Sequence, residues 1–188
     1  MLKAFSILQV LILLITPLAA FAGGVFQSQE SFVNQTFGDK APASKVIWIN
    51  KERRKVVEKI LQHRTSFIRV RYWQQGSKSA WILSEIGKTK QISVGIVIDD
   101  NKISTVKVLA FHESRGWEVK HDFFTKQFQH ASLDSNHHLT NEINGISGAT
   151  LSVRALRKIA RIALYLNQQI NEKISSKQTY HPVPPSMA

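Results

Sequence analysis

The sequence predicts an α+β fold, an antiparallel β-meander with helices packed mainly on one face, in a single domain after a signal peptide. Three observations carry this expectation. Four strand-like runs lie between Phe67 and Phe111, and in Phe67 to Trp73 and Gln91 to Ile98 the apolar residues recur with a period of two. The turns joining them are too short for the crossovers that parallel strands need. A segment from Leu151 to Ile170 carries apolar residues at helical spacing, which suits it to cover the apolar face of such a sheet.

The elements follow in chain order. Met1-Leu2-Lys3 is a short positive start, Val10 to Ile15 an unbroken apolar core and Pro17 a break, and Ala20-Phe21-Ala22 spells a small-x-small cleavage site. Residues 1–22 therefore read as a secretory signal peptide, so the rest of the chain is expected to be exported. Ala4 to Ala22 is also long enough to span a bilayer, so a retained N-terminal membrane anchor is the alternative, which Pro17 and the alanine pair disfavour. Residues 23–44, polar and containing Gly38 and Pro42, read as an irregular lead-in.

The domain proper is expected over residues 45–170. Val46 to Ile49 is a short apolar stretch. Asn50 then caps a helix over Lys51 to His63, with Val56, Val57, Ile60 and Leu61 on one face. Strands are predicted at Phe67 to Trp73, Ala80 to Ile86, Gln91 to Ile98 and Ile103 to Phe111, separated by turns at Gln75-Gly76-Ser77 and Asp99-Asp100-Asn101-Lys102. A short helix over residues 123–128 turns Phe124 and Phe128 inward, and Leu133 to Thr140 is a polar loop. The closing helix carries an apolar stripe of Leu151, Ala155, Leu156, Ile159, Ile162, Ala163 and Leu166, with Arg154, Arg157, Lys158 and Arg161 mostly outside it. Residues 171–188, containing Pro182, Pro184 and Pro185, read as a flexible tail.

Composition narrows the chemistry. The chain has no cysteine, which excludes disulfides, thiolate metal sites, iron–sulfur clusters and covalent c-type haem. None of the His-Glu-x-x-His, Gly-x-Ser-x-Gly or Gly-x-Gly-x-x-Gly patterns is present, so no metal site is assigned and no catalytic residue is named. The net charge of +12 favours anionic partners. An exported chain without a recognition motif is not expected to bind nucleic acid. Contact with an anionic membrane surface or an acidic redox protein suits the charge, and plain solubility is the simpler account of it.

Two segments stand out. Asn144-Gly145-Ile146-Ser147-Gly148-Ala149-Thr150 runs directly into Leu151-Ser152 and the closing helix. It puts small residues, a glycine and a hydroxyl at a helix start, where free backbone N–H groups and the helix dipole attract phosphate. A loop glycine followed by an N-cap threonine would have the same spelling. The second segment, Phe111-His112-Glu113-Ser114-Arg115-Gly116-Trp117-Glu118, ends the last strand. A glycine there permits close backbone approach to a flat ligand. A plain strand-ending turn with a Glu–Arg pair is the alternative.

Together these segments resemble the FMN-binding domain family, which includes the C subunit of the sodium-pumping NADH:quinone reductase and the G subunit of the Rnf complex. That family's pattern is an acidic residue, two variable positions, Ser or Thr, then Gly-Ala-Thr, with FMN carried on the last threonine through a phosphoester. Ser147, Gly148, Ala149 and Thr150 match it, while Asn144 replaces the acidic residue. Glu113, Ser114, Gly116 and Trp117 match a Glu-Thr-Pro-Gly-Leu-like stretch near the flavin ring, with Arg115 in place of the proline. The resemblance covers about Phe67 to Leu166. It implies FMN held covalently by Thr150, with Ser147, Gly148, Ala149, Leu151, Glu113, Ser114, Gly116 and Trp117 as further cofactor-binding residues. It also implies loading by an FAD-dependent flavin transferase and electron transfer with membrane or periplasmic redox proteins. A flavin-dependent reductase of an external acceptor and a cofactor-free basic protein at the membrane surface are the alternatives.

Overall fold

The computed structural model describes residues 24–38 and 40–178, with side chains described as far as Glu172. The predicted signal peptide and the end of the predicted tail lie outside the described residues. Five strands, β1 (Lys45–Trp48), β2 (Arg69–Gln75), β3 (Lys78–Ile86), β4 (Gln91–Asp99) and β5 (Lys102–Phe111), form one sheet whose spatial order is their chain order. Every neighbouring pair is antiparallel, as expected for a meander. The β4–β5 hairpin turns on Asp100 and Asn101, both at positive φ, the two-residue geometry that matches strand twist.

One face of the sheet is covered by α2 (Lys51–Leu61) and by a long helix, α4 (Thr150–Gln178). Asn50 starts α2 as predicted, its Oδ1 accepting the Arg53 N–H at 3.0 Å. Trp81, Ile92, Ile96 and Phe111 of the sheet, Val57 and Ile60 of α2, and Leu156, Ile159 and Leu166 of α4 share one buried core. A short helix α3 (Asp122–Thr125) and the 3-10 turn Lys126–Phe128 add Phe124 and Phe128 to it, their rings edge to face at 5.6 Å.

The structure corrects the sequence reading at four places. Residues 23–44 are not irregular throughout, because Gln29–Phe37 form a helix, α1, capped by Ser28. It buries Phe32 and Val33 against Ala80, Val97 and Leu109 on the opposite sheet face. Two buried residues make no periodic stripe, so tertiary burial rather than pattern fixes this helix. The closing helix continues past Ile170 to Gln178, since neither Gly nor Pro interrupts that polar stretch. β2 begins at Arg69, leaving Ile68 exposed outside it. Leu151, placed in the core stripe by its spacing, is 40% exposed.

A buried polar chain fastens α4 to the sheet. Asn167, almost wholly buried, accepts the Ser79 hydroxyl at 2.7 Å and donates to Asn101 Oδ1 at 3.0 Å, while Trp81 Nε1 donates to Ser79 Oγ at 2.8 Å. Asn167→Leu is expected to cost about 2–3 kcal/mol of unfolding free energy in urea titrations, because it strands the Ser79 donor and half-empties Asn101.

Candidate functional site

The start of α4 is built by a tight turn over residues 146–149. The Ala149 N–H donates to the Ile146 carbonyl at 3.0 Å, and Gly148 takes φ +81, the left-handed value that the third position of a type II turn requires. Ala149, not Thr150, then occupies the cap position, because its carbonyl accepts the first intrahelical bond, from Val153 N–H at 2.9 Å. A methyl group cannot cap a helix. The N–H groups of Thr150, Leu151 and Ser152 therefore come before the helical ladder with no side-chain cap among the described residues. Thr150 is exposed at the first helical position, so its hydroxyl is free of the capping duty that its sequence context allowed.

The strand-ending segment is organised by Glu113. Its carboxylate is buried, and Oε1 accepts backbone N–H groups of Lys88, Thr89 and Lys90 at 2.5, 2.6 and 2.9 Å. Oε2 accepts the Thr89 hydroxyl at 3.2 Å. Glu113 thus ties the end of β5 to the β3–β4 turn and makes no ion pair with Arg115. Burial alone would push this carboxyl up, but the bonds from Lys90, Thr89 and Lys88 outweigh it and hold the group below the ordinary carboxylate range.

The two segments meet at Gly116. This residue has φ +85, and a Cβ placed on it would lie 2.5 Å from Ser152 Oγ and 3.4 Å from the Ala149 methyl. The close approach that glycine permits is thus to the first turn of α4. Beside this joint opens a cavity of about 560 Å³ lined by Lys88, Glu113, Ser114, Arg115 and residues 148–152. Six of the nine expected cofactor residues stand on its wall: Glu113, Ser114, Gly148, Ala149, Thr150 and Leu151. Ser147 is exposed in the turn, Gly116 lies behind the wall, and Trp117 points elsewhere, 46% exposed with its ring edge-on to His121 at 5.2 Å. Lys88 had no signal in the sequence beyond being a turn lysine. Asn144 is exposed, its backbone N–H held by Gln127 Oε1 at 2.7 Å.

Thr150 also lines a second cavity, of about 390 Å³, on its other side. There Arg154, Arg157, Lys158 and Arg161 stand over an apolar floor of Ile60, Leu139 and Val153. Sequence reading placed these four cations outside the core stripe, and they are; the concavity they line is a tertiary feature made with the end of α2 and the loop at residues 138–145.

Residues 87–165 match the family model of the FMN-binding domain. Over this stretch the chain is similar to the FMN-binding domain family. The match opens in the turn that Glu113 holds, takes in β4, β5 and both motif segments, and ends in α4 beyond Arg161. It begins later than Phe67, leaving β2 and β3 outside the match. The match supports flavin binding by this chain. Among curated proteins no match is found.

The residues present fit that cofactor. An exposed hydroxyl, three uncapped N–H groups and a left-handed glycine together suit a phosphate monoester, and cavities on both sides of Thr150 leave room for what the phosphate carries.

Proposed function

We propose that this protein is an exported flavoprotein that carries FMN through a phosphoester to Thr150 and passes electrons between redox partners. The observation carrying this reading is the single cavity that unites Glu113, Ser114 and Arg115 with residues 148–152 around an exposed Thr150. Two segments some thirty residues apart in sequence are brought to one wall, at the start of the long helix α4, where no side-chain cap is found among the described residues.

Each group then has a definite task. Thr150 Oγ provides the ester oxygen. The N–H groups of Thr150, Leu151 and Ser152, with the dipole of a long helix behind them, stabilise the remaining phosphodiester charge. Gly148, with no side chain, leaves that backbone accessible. Lys88 and Arg115 place positive charge on the cavity wall and favour a reduced, anionic flavin. Glu113 is committed to the β3–β4 turn and acts by holding the wall. Bound FMN supplies the redox chemistry, and the protein positions and tunes it. Loading calls for an FAD-dependent flavin transferase in the compartment that the leader specifies, and the partners are membrane or periplasmic redox proteins. Asn144 offers such a transferase a neutral hydrogen-bonding side chain where an acidic one is usual.

Intact mass spectrometry of the chain coexpressed with a flavin transferase tests this. A phosphoester-linked FMN adds about 438 Da by its formula, with the cofactor contributing the colour and the protein the attachment. Thr150→Ala is expected to abolish the adduct completely while leaving the fold intact, since Thr150 is exposed and caps nothing. An adduct that survives in Thr150→Ala would overturn the assignment.

A further inference from the structure

The second cavity beside Thr150 has a charge distribution that the flavin does not account for. Arg154, Arg157, Lys158 and Arg161 lie at helical spacings of three and four along one side of α4, so each has like-charged neighbours one turn away. Such pairs weaken a helix unless something compensates them. The nearby carboxylates are already engaged. Glu85 bonds His63 Nε2 at 2.9 Å and sits 3.5 Å from Lys158 Nζ. Asp134 accepts the N–H groups of Asn136 and His138 at 2.9 and 2.7 Å. Among the described residues Arg154 and Arg157 make no ion pair.

Two members of the cluster are held in place, while Arg154 and Arg157 stand exposed beside them. Lys158 is only 15% exposed, and Arg161 is fixed through its Nε by the His137 carbonyl. Burial pulls the Arg161 guanidinium down from its ordinary value, with Asp134 opposing and Arg157 adding to the effect. No carboxylate lines the cavity, whereas His138, Asn141 and Gln62 add polar groups to its wall. A sequence that keeps an unfavourable charge row facing a concave site marks a functional position.

We propose that this cavity binds a small oxyanion carrying two or more negative charges, of the phosphate or carboxylate class, seated beside Thr150. The arginines present paired donors to its oxygens, and Ile60, Leu139 and Val153 form an apolar base that excludes water beneath it. The site is separate from the phosphoester, so a molecule bound there would lie next to whatever Thr150 carries. Both the phosphates of a nucleotide and a free polyanion have this chemistry.

Isothermal titration of the full chain, purified from a host without flavin transferase so that Thr150 is free, distinguishes these sources. Inorganic pyrophosphate, ADP and citrate are titrated separately at low ionic strength. One saturable site is expected for at least one of them, weakening as salt is raised. Tightest binding of ADP identifies a nucleotide ligand, and tightest binding of pyrophosphate or citrate a free anion. The Arg154→Gln/Arg157→Gln variant is expected to bind at least tenfold more weakly, with a thermal midpoint no lower than the parent's, because both side chains are exposed and their removal relieves like-charge repulsion along α4. Lys107→Gln, an exposed cation on the α1 side of the sheet, is expected to bind as the parent does. Absence of saturable binding for all three anions, or equal affinity in the double variant, overturns the proposal. Because the titration uses unmodified protein, its outcome is independent of whether mass spectrometry finds the phosphoester.

Discussion

Glu113→Ala is expected to lower the unfolding free energy by about 3 kcal/mol, one of the largest effects of any single side chain here. The carboxylate is nearly inaccessible and gathers three consecutive backbone N–H groups of the β3–β4 turn together with the Thr89 hydroxyl. Hydrogen bonds to a charged acceptor contribute about 1.5–3 kcal/mol each, and those sharing one oxygen do not add. Alanine leaves the turn donors to water that must enter beside the cavity. Glu113→Gln keeps an oxygen for the turn but brings an amide where acceptors are needed, and should fall about midway. Urea unfolding of the three proteins measures the series. Glu142→Ala, at an exposed loop position, should stay within about 0.5 kcal/mol of the parent.

The same contacts fix the pH dependence and its sign. The folded-state pKa of Glu113 is lowered, so its contribution is fully present above the unfolded value, taken as 4.5. It is lost as pH falls through the depressed folded pKa. Unfolding midpoints of the parent should therefore decline on acidification below that value, and the decline should be shallower in Glu113→Gln. A parent and variant with parallel acid profiles would show that Glu113 is not the carboxylate responsible.

Most of the sheet was legible in the sequence because its signals are local. Val70 and Tyr72, then Ile92, Val94, Ile96 and Ile98, alternate inward as their spacing demands, and the Asp100-Asn101 turn declares its own geometry. The helix α1 was not legible, since Phe32 and Val33 acquire their meaning only against Leu109 and Val97. The candidate site divides the same way. Gly148 and Thr150 announced a helix start, whereas Glu113 as anchor of a turn twenty-odd residues earlier, and Gly116 as contact of Ser152, depend on how strands return. The basic cavity is the clearest case. The spacing of Arg154, Arg157, Lys158 and Arg161 is visible in the chain, but a solvated helix face and a cavity wall share that spacing. Only the approach of Ile60 and Leu139 separates them.

Gly116→Ala is expected to cost about 3 kcal/mol and to slow flavin loading although Thr150 is untouched. Two effects combine. A φ of +85 is unfavourable for an alanine by about 1–2 kcal/mol. The added methyl would also meet Ser152 Oγ at 2.5 Å and Ser152 Cβ at 3.3 Å. Ser152 is buried in the first turn of α4, so its hydroxyl can rotate away but its Cβ moves only with the helix. A double-mutant cycle separates the two effects. Ser152→Ala in the Gly116→Ala background should recover about 1 kcal/mol of contact strain, with the backbone part remaining. The helix start bears the N–H groups proposed to meet the phosphate, and Glu113 and Arg115 belong to the segment Gly116 ends. Displacing one against the other should therefore reduce the fraction of protein carrying the 438 Da adduct more than it reduces the fraction folded. Equal unfolding midpoints for Gly116→Ala and the parent would show that the two segments are not held together at this glycine, and the unity of the cavity would have to rest on the Glu113 turn alone.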